Sequence, residues 1–172
     1  ERSSTFRADN GYIDLNDKRH LTITRGKILY PENSRYEVMY FWFATGRIFF
    51  YDWSVFQDWI FLSHNGQMKG QFGYDITLLT EDEYYKGVLF EDNYRLMFEF
   101  EKSFSKKVSL EFEPQYGTEI IREDEPYQAR NISIGFELNL RPSNELKFNF
   151  KLDQSRSTKF ETGEEVYSDL IA

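Results

Sequence analysis

Closely spaced acids in the second half of the chain are the residues best suited to catalysis. Glu99 and Glu101, and then Glu111 and Glu113, are paired at alternate positions. Two carboxylates at a suitable separation can hydrolyse a glycosidic bond, one as acid and the other as nucleophile or base. Acids that alternate along a strand are far more often solvated or paired with cations. We therefore predict no catalytic residue and no enzyme activity.

Metal and nucleophile chemistry receives little support from the sequence. His20 and His64 lie beside predicted turns, and neither has a second ligand at metal-binding spacing. Cysteine is absent, which excludes thiolate ligands, thiol nucleophiles and disulfides. The acidic runs at 81–83 and 123–125 carry the oxygen ligands that Ca²⁺ prefers, but such runs are mostly solvated. We expect no metal and no cofactor.

Composition indicates one domain of β structure. The chain has 172 residues, so we treat 1–172 as a single domain, and 19% of these residues are aromatic. Aromatic-rich, alternating sequence forms strands. The net charge of −8 disfavours nucleic acid as a partner, because a sequence-independent hold on it needs a basic surface. No apolar run of about 18 residues is present to form a membrane-spanning helix.

Turn-forming residues divide the chain into about ten strands without a convincing helix, which predicts an all-β fold. The predicted strands run approximately over 5–14, 19–30, 35–50, 53–63, 70–79, 93–102, 107–117, 128–141, 145–155 and 164–172. Short turns at 31–35, 63–67, 103–106 and 142–144 alternate with longer segments at 80–92 and 118–127. An antiparallel up-and-down meander has this arrangement, and outer-membrane barrels place short turns on the periplasmic side and long loops outside.

Large apolar residues keep to one parity across strands that are far apart in sequence. In 93–117, Leu96 and Phe98 alternate with Arg95 and Glu99. The strand at 53–63 is the exception, because it has apolar residues on both parities. We predict that the apolar parity faces lipid, at Leu96, Phe98, Phe100, Leu110, Phe112, Ile134, Phe136, Leu138, Phe148 and Phe150.

The opposite parity is polar and charged, and in a barrel it would face the interior. We predict that Arg95, Glu99, Glu101, Glu111, Glu113, Glu137, Lys147 and Lys151 face the lumen. Matching parity across the predicted turns places Arg95 opposite Glu113 and Glu101 opposite Lys107. It also places Asn139 opposite Lys147. The interpretation is a hydrated wall crossed by salt bridges, each worth about 0.2–1 kcal/mol.

The same alternation also fits a soluble sheet or lipocalin-like barrel with its apolar face inward. Two features favour lipid. The apolar tracts extend over about 9–11 residues, the length that a tilted strand needs to cross a bilayer. In addition, Tyr and Trp gather near the predicted strand ends, as in interfacial girdles, at Tyr30, Tyr51, Trp53, Tyr84, Tyr85, Tyr94, Tyr116 and Tyr127. The soluble alternative would bind a small apolar ligand or a sugar on its aromatic face.

Three stretches resemble a family of outer-membrane β-barrel domains of uncharacterised function, which follow a carbohydrate-binding-type module in bacterial surface proteins. They are "FRADNGYIDLNDKRHL", "NISIGFELNLRPSNELKFNFKLDQ" and "FETGEEVYSDLIA". These are strand-and-turn patterns, and the resemblance carries over no active-site residue. It implies a transmembrane β-barrel in the outer membrane of a Gram-negative bacterium, with lipid and other envelope proteins as partners.

The end of the chain departs from that family. Complete barrels of this kind usually end in a strand whose last residue is aromatic, whereas this chain ends in Ala172. We therefore expect a part of a larger barrel. The expected function is non-catalytic: a pore for transport, a surface scaffold, or a platform that captures glycans or proteins.

Overall fold

The computed structural model describes residues 18–160 and 162–171, which form one sheet of nine antiparallel strands in sequential order. The predicted strand at 5–14 lies outside these residues. Within them no helix is present, and so none is long and apolar enough to cross a membrane. The strands are β1 (Lys18–Leu29), β2 (Tyr36–Phe50), β3 (Val55–Met68), β4 (Phe72–Tyr85), β5 (Val88–Ser105), β6 (Val108–Ile121), β7 (Tyr127–Leu140), β8 (Phe148–Lys159) and β9 (Glu165–Ile171). The all-β, up-and-down antiparallel prediction is confirmed.

The segment 80–92 differs most from its prediction as a long loop. The strands β4 and β5 continue through it and are joined by Lys86 and Gly87 alone. Both residues have positive φ, of 48° and 87°, which is the backbone of the tight turns that match the twist of a hairpin. A glycine supplies this conformation without strain, so the hairpin extends and no loop forms.

The two ends of the sheet alternate as expected, but their connections do not differ in length as predicted. Connections at one end cover 30–35, 69–71, 106–107 and 141–147, and those at the other cover 51–54, 86–87, 122–126 and 160–164. The predicted turn at 63–67 lies inside β3. His20 and His64 likewise lie within β1 and β3, not beside turns.

Strand pairing fixes which side chains share a face. Leu110 pairs with Leu138, which pairs with Phe150, so these three lie on one face together with the other residues predicted to face lipid. Glu111 pairs with Glu137, which pairs with Lys151, on the opposite face. Pairing also assigns the orientation of β3, which the sequence left open. Ile60 and Leu62 lie on the same face as the apolar set.

The sheet is curled, with the polar set inside. Phe61 on β3 and Tyr167 on β9 line one cavity of about 570 Å³, although six strand spacings separate them. In a flat sheet that distance would be about 29 Å, far wider than such a cavity. We call the face of Leu110 and Phe150 the convex face, and the face of Glu111 and Lys151 the concave face. The curl is incomplete, because β1 and β9 do not pair and the sheet is open.

Burial is reversed relative to a soluble β fold. Among the described residues, the four buried apolar side chains, Ala44, Ile48, Phe90 and Ala129, all lie in rows of the concave face. Five of the six buried polar residues in this part of the chain, Thr77, Glu83, Asn93, Asn131 and Ser157, lie there too. On the convex face, Ile132 is 46% exposed and Phe150 is 54% exposed. The concave face therefore holds the packed interior of this sheet.

One β-bulge changes the face of an aromatic side chain. Sequence parity groups Tyr36 with Val38, Tyr40 and Trp42, but the register shifts between Tyr36 and Val38. Tyr36 consequently pairs with Met68 on the convex face, while Tyr40 and Trp42 lie on the concave face. A bulge adds one residue to a strand, so parity read across it is inverted.

Candidate functional site

The cavity of the concave face is lined by acids from five strands. Its carboxylates come from Asp75 on β4, Glu99 on β5, Glu113 on β6, Asp153 on β8 and Asp169 on β9. Thr77, Gln115, Ser133 and Ser155 add neutral polar groups. None of the described residues that line it is Lys or Arg. The site is therefore a water-accessible cavity whose lining carries negative charge.

Strand register brings these acids together, and it corrects the predicted charge pairs. Asp75 pairs with Glu99, and Glu101 pairs with Glu111. The prediction placed Lys107 opposite Glu101, but β5 continues to Ser105, so that Lys106 and Lys107 form the turn. The register of β5 and β6 is therefore offset from the predicted one, and Glu101 lies opposite another acid.

The other two predicted pairs are also replaced. Arg95 lies opposite Gly117, not Glu113, and its guanidinium Nη2 donates to Glu81 at 3.1 Å. Asn139 pairs with Asn149 where Lys147 was expected. Both asparagine side chains donate to the Glu137 carboxylate at 2.7 Å.

Gly135 leaves space for two of the cavity carboxylates. A Cβ atom at this position would lie 3.1 Å from Glu113 Oε2 and 3.3 Å from Asp153 Oδ1. The acids of β6 and β8 therefore converge over β7, which carries no side chain between them. Any other residue would push the carboxylates apart and narrow the cavity.

A tighter acidic group lies at one edge of the cavity. Carboxylate oxygens of Glu99, Glu111 and Glu113 lie within 4.8 Å of one another. Ca²⁺ binds 6–8 oxygens in proteins, more than these three side chains supply singly. Exposed acidic groups are common without an ion, so this group alone does not define a metal site. It does concentrate negative charge on the middle of the concave face.

Cations of the concave face lie mainly toward the ends of the strands. Arg122, just after β6, donates two hydrogen bonds to the Glu83 carboxylate at 2.8 and 2.9 Å. Those bonds are the main cause that raises the pKa of Arg122, which stays charged. Lys147 lies in the β7–β8 connection near Glu137, and Lys151 contacts Asp153 at 3.2 Å. All eight residues predicted to face the lumen thus lie on or beside the concave face.

The sequence indicated some of the cavity and missed the rest. Glu99 and Glu113 were among the predicted interior residues, whereas Asp153, Tyr167 and Asp169 were not. Their positions alternate correctly in β8 and β9, so parity carried a signal for them. The two acidic runs lie away from this cavity. The run at 81–83 lies in β4, where Glu81 and Glu83 form ion pairs, and the run at 123–125 lies in the β6–β7 connection.

No protein-family model, curated protein or solved structure matches this chain. The resemblance to outer-membrane barrel domains therefore stays a prediction. The contrast between the convex and concave faces is the basis on which the function is inferred.

Proposed function

We propose that this sheet is part of an integral β-barrel in the outer membrane of a Gram-negative bacterium. Its convex face contacts lipid, and its concave face lines a hydrated interior through which cationic or neutral polar solutes pass. The protein is not an enzyme. The reversed burial of the two faces is the observation that carries this proposal.

Exposed apolar surface on the convex face is too continuous for an isolated soluble sheet. Exposed apolar side chains lie side by side on neighbouring strands, as in the row of Phe112, Phe136 and Leu152. Soluble monomers rarely expose an apolar patch larger than about 300–600 Å². Covering a Leu, Ile or Phe side chain is worth about 1.5–3 kcal/mol, so lipid would stabilise this face strongly.

The apolar zone also slants across the sheet in the way that tilted strands require. On β1 the zone includes Ile23, and the row of paired residues that passes through Ile23 reaches β4 at Thr80. On β8 it includes Phe150, whose row meets β4 at Phe72. Between these strands the zone shifts by about one residue per strand, and strands tilted by about 35–45° produce a shift of that size.

Aromatic and polar residues border this zone. Tyr94 and Tyr116, whose ring centroids are 5.9 Å apart, lie at its boundary toward the β4–β5 turn. Beyond that boundary the convex face becomes polar, where Arg47 pairs with Asp58 through hydrogen bonds of 2.5 and 2.6 Å. Girdles of this kind mark the interfaces of membrane barrels.

Both free edges of the sheet require closure in a bilayer. β1 and β9 each have one side without a partner strand among the described residues. Unpaired backbone groups cost several kcal/mol each in hydrocarbon, so open edges do not occur there. The proposal therefore includes further strands that close the barrel between β9 and β1.

The curl of the sheet disfavours the soluble lipocalin-like alternative. In that fold the apolar face is concave and encloses the ligand. Here the acids line the concave cavity, and the ten apolar residues predicted to face lipid lie on the convex side. An apolar ligand would have no enclosed site on this convex surface.

Folding with and without detergent tests the proposal. The chain is diluted from urea into plain buffer, into detergent micelles and into phosphatidylcholine vesicles. We expect β-sheet circular dichroism and a monodisperse species only with detergent or lipid, because the convex face needs an apolar cover. A folded, monodisperse protein in plain buffer would contradict the membrane assignment.

A further inference from the structure

Two unpaired cations interrupt the convex face on β1. Arg25 and Lys27 lie in the same rows as Phe43 and Phe41 of β2. Neither cation has an ion-pair partner among the described residues, whereas Arg47 and Arg156 on the same face are paired with acids. A lysine or arginine costs about 2–4 kcal/mol when it faces the lipid midplane and about 0–1 kcal/mol near the interface, so the depth of this pair decides whether lipid tolerates it.

The cations adjoin an apolar groove of about 580 Å³. The groove crosses from β1 to β4 and is lined by Arg25, Lys27, Phe41, Phe43, Leu62, His64, Ile76 and Leu78. His64 is held by its own contacts, since its Nε2 lies 2.8 Å from the Tyr74 hydroxyl and its ring stacks on Phe41. The groove is thus cationic at its β1 end and apolar along the rest.

The slant of the apolar zone assigns depths to the two ends of the groove. On β1 the zone includes Leu21 and Ile23, so Arg25 and Lys27 lie toward the β1–β2 turn, at its border. On β4, Ile76 and Leu78 lie in the middle of the zone. The three strand spacings between these ends measure about 14 Å along the surface, and a strand tilt of about 35–45° carries the groove about 8–10 Å deeper into a core about 30 Å thick.

We propose that this groove binds an anionic phospholipid from the leaflet on the side of the β1–β2 turn. Arg25 and Lys27 bind the headgroup phosphate, and one acyl chain lies along Phe41, Phe43 and Leu62 toward Leu78. Charge complementarity identifies the headgroup, and the groove descends from the border of the apolar zone toward its middle, as an acyl chain does. This inference depends on the proposed membrane function.

Native mass spectrometry of the full chain in detergent micelles tests it. Phosphatidylglycerol and phosphatidylcholine with identical acyl chains are titrated separately. We expect phosphatidylglycerol to bind roughly tenfold more tightly, since each cation near an anionic headgroup strengthens binding several-fold. The double variant Arg25→Gln/Lys27→Gln should lose this preference. The control Lys106→Gln/Lys107→Gln removes the same charge from the β5–β6 turn and should keep it.

Two further arms examine the groove itself. Phe43→Ser should weaken binding of both lipids. Excess glycerol 3-phosphate should not displace phosphatidylglycerol, because the headgroup alone lacks the acyl-chain contacts. Equal affinity for the two lipids, loss of preference in the control, or displacement by glycerol 3-phosphate would each overturn the lipid site. Those results leave the barrel proposal standing if the protein still folds only with detergent or lipid.

Discussion

The convex and concave faces of the sheet share the same strands but have opposite relations to their surroundings. On the concave face, Ala129 and Ser157 have no exposed surface, and polar groups find hydrogen-bond partners within the sheet. On the convex face, large apolar side chains remain exposed because nothing in the described part of the chain packs on them. The alternation of a strand separates the two chemistries at every second residue.

This difference shows that alternation alone does not say which face is the core. Each face could be the interior of some fold, and the alternation in the sequence does not specify the direction in which the sheet curves. Curvature places the acids of β4, β5, β6, β8 and β9 around one cavity and turns the apolar side chains outward. Which face contacts solvent therefore depends on which face is concave, and three predictions compare the two faces.

The largest effect is expected for a charge on the convex face. Phe98→Arg or Phe136→Arg should lower the free energy of unfolding in lipid vesicles by about 2–4 kcal/mol, because each site faces the middle of the apolar zone. Urea titration followed by circular dichroism measures it.

Glu99→Gln is the matched control, since Glu99 is next to Phe98 but lies on the concave face. It should leave the free energy of unfolding unchanged or raise it by at most about 1 kcal/mol, because Glu99 lies among like charges. If Phe98→Arg lowers the free energy of unfolding no more than Glu99→Gln does, the two faces do not contact different surroundings, and the comparison fails.

An intermediate effect is expected where the concave face is tightly packed. A Cβ at Gly117 would lie 2.1 Å from the Tyr94 carbonyl oxygen and 2.8 Å from Arg95 Cα, which are backbone atoms of β5. Gly117→Ala should therefore cost about 1–3 kcal/mol in the same urea titration, the usual range for overpacking.

Gly73→Ala provides the comparison on the same face. Its new Cβ would first meet Gln67 Oε1 at 3.3 Å, the end of a side chain that can move. We expect a change within about 0.5 kcal/mol. Equal costs at Gly73 and Gly117 would show that close backbone approach does not limit packing on the concave face.

The fold could be predicted from the sequence wherever the information is local. Period-2 alternation placed the apolar sets of β5 to β8 on one shared face correctly, because side-chain direction depends only on neighbouring residues. Register was not predictable in the same way, because it depends on where each turn closes. The turn at Lys106 and Lys107 lies farther along the chain than expected, and so Glu101 faces Glu111.

The candidate site was harder to predict for the same reason. Glu99 and Glu113 were predicted as interior residues, but the cavity itself depends on register and on curvature, which bring β3 and β9 to one site. Salt bridges were expected because matching parity across the predicted turns placed opposite charges opposite each other. The observed pairing brings like charges together in the middle of the concave face.

The smallest effect is expected at that acidic group. Glu111 pairs with Glu101 and Glu137, and its carboxylate is close to those of Glu99 and Glu113. Like charges that face each other across strands are destabilising, so Glu111→Gln should raise the free energy of unfolding by about 0.2–1 kcal/mol at low salt. In 1 M salt the Debye length falls to about 3 Å, and the gain should nearly vanish. Glu125→Gln removes the same charge from the exposed β6–β7 connection and should change stability little in either condition. A loss of stability in Glu111→Gln, with Glu125→Gln unchanged, would mean that the acids are stabilised by a favourable partner such as a cation. The middle of the concave face would then be a binding surface and not a site of charge repulsion.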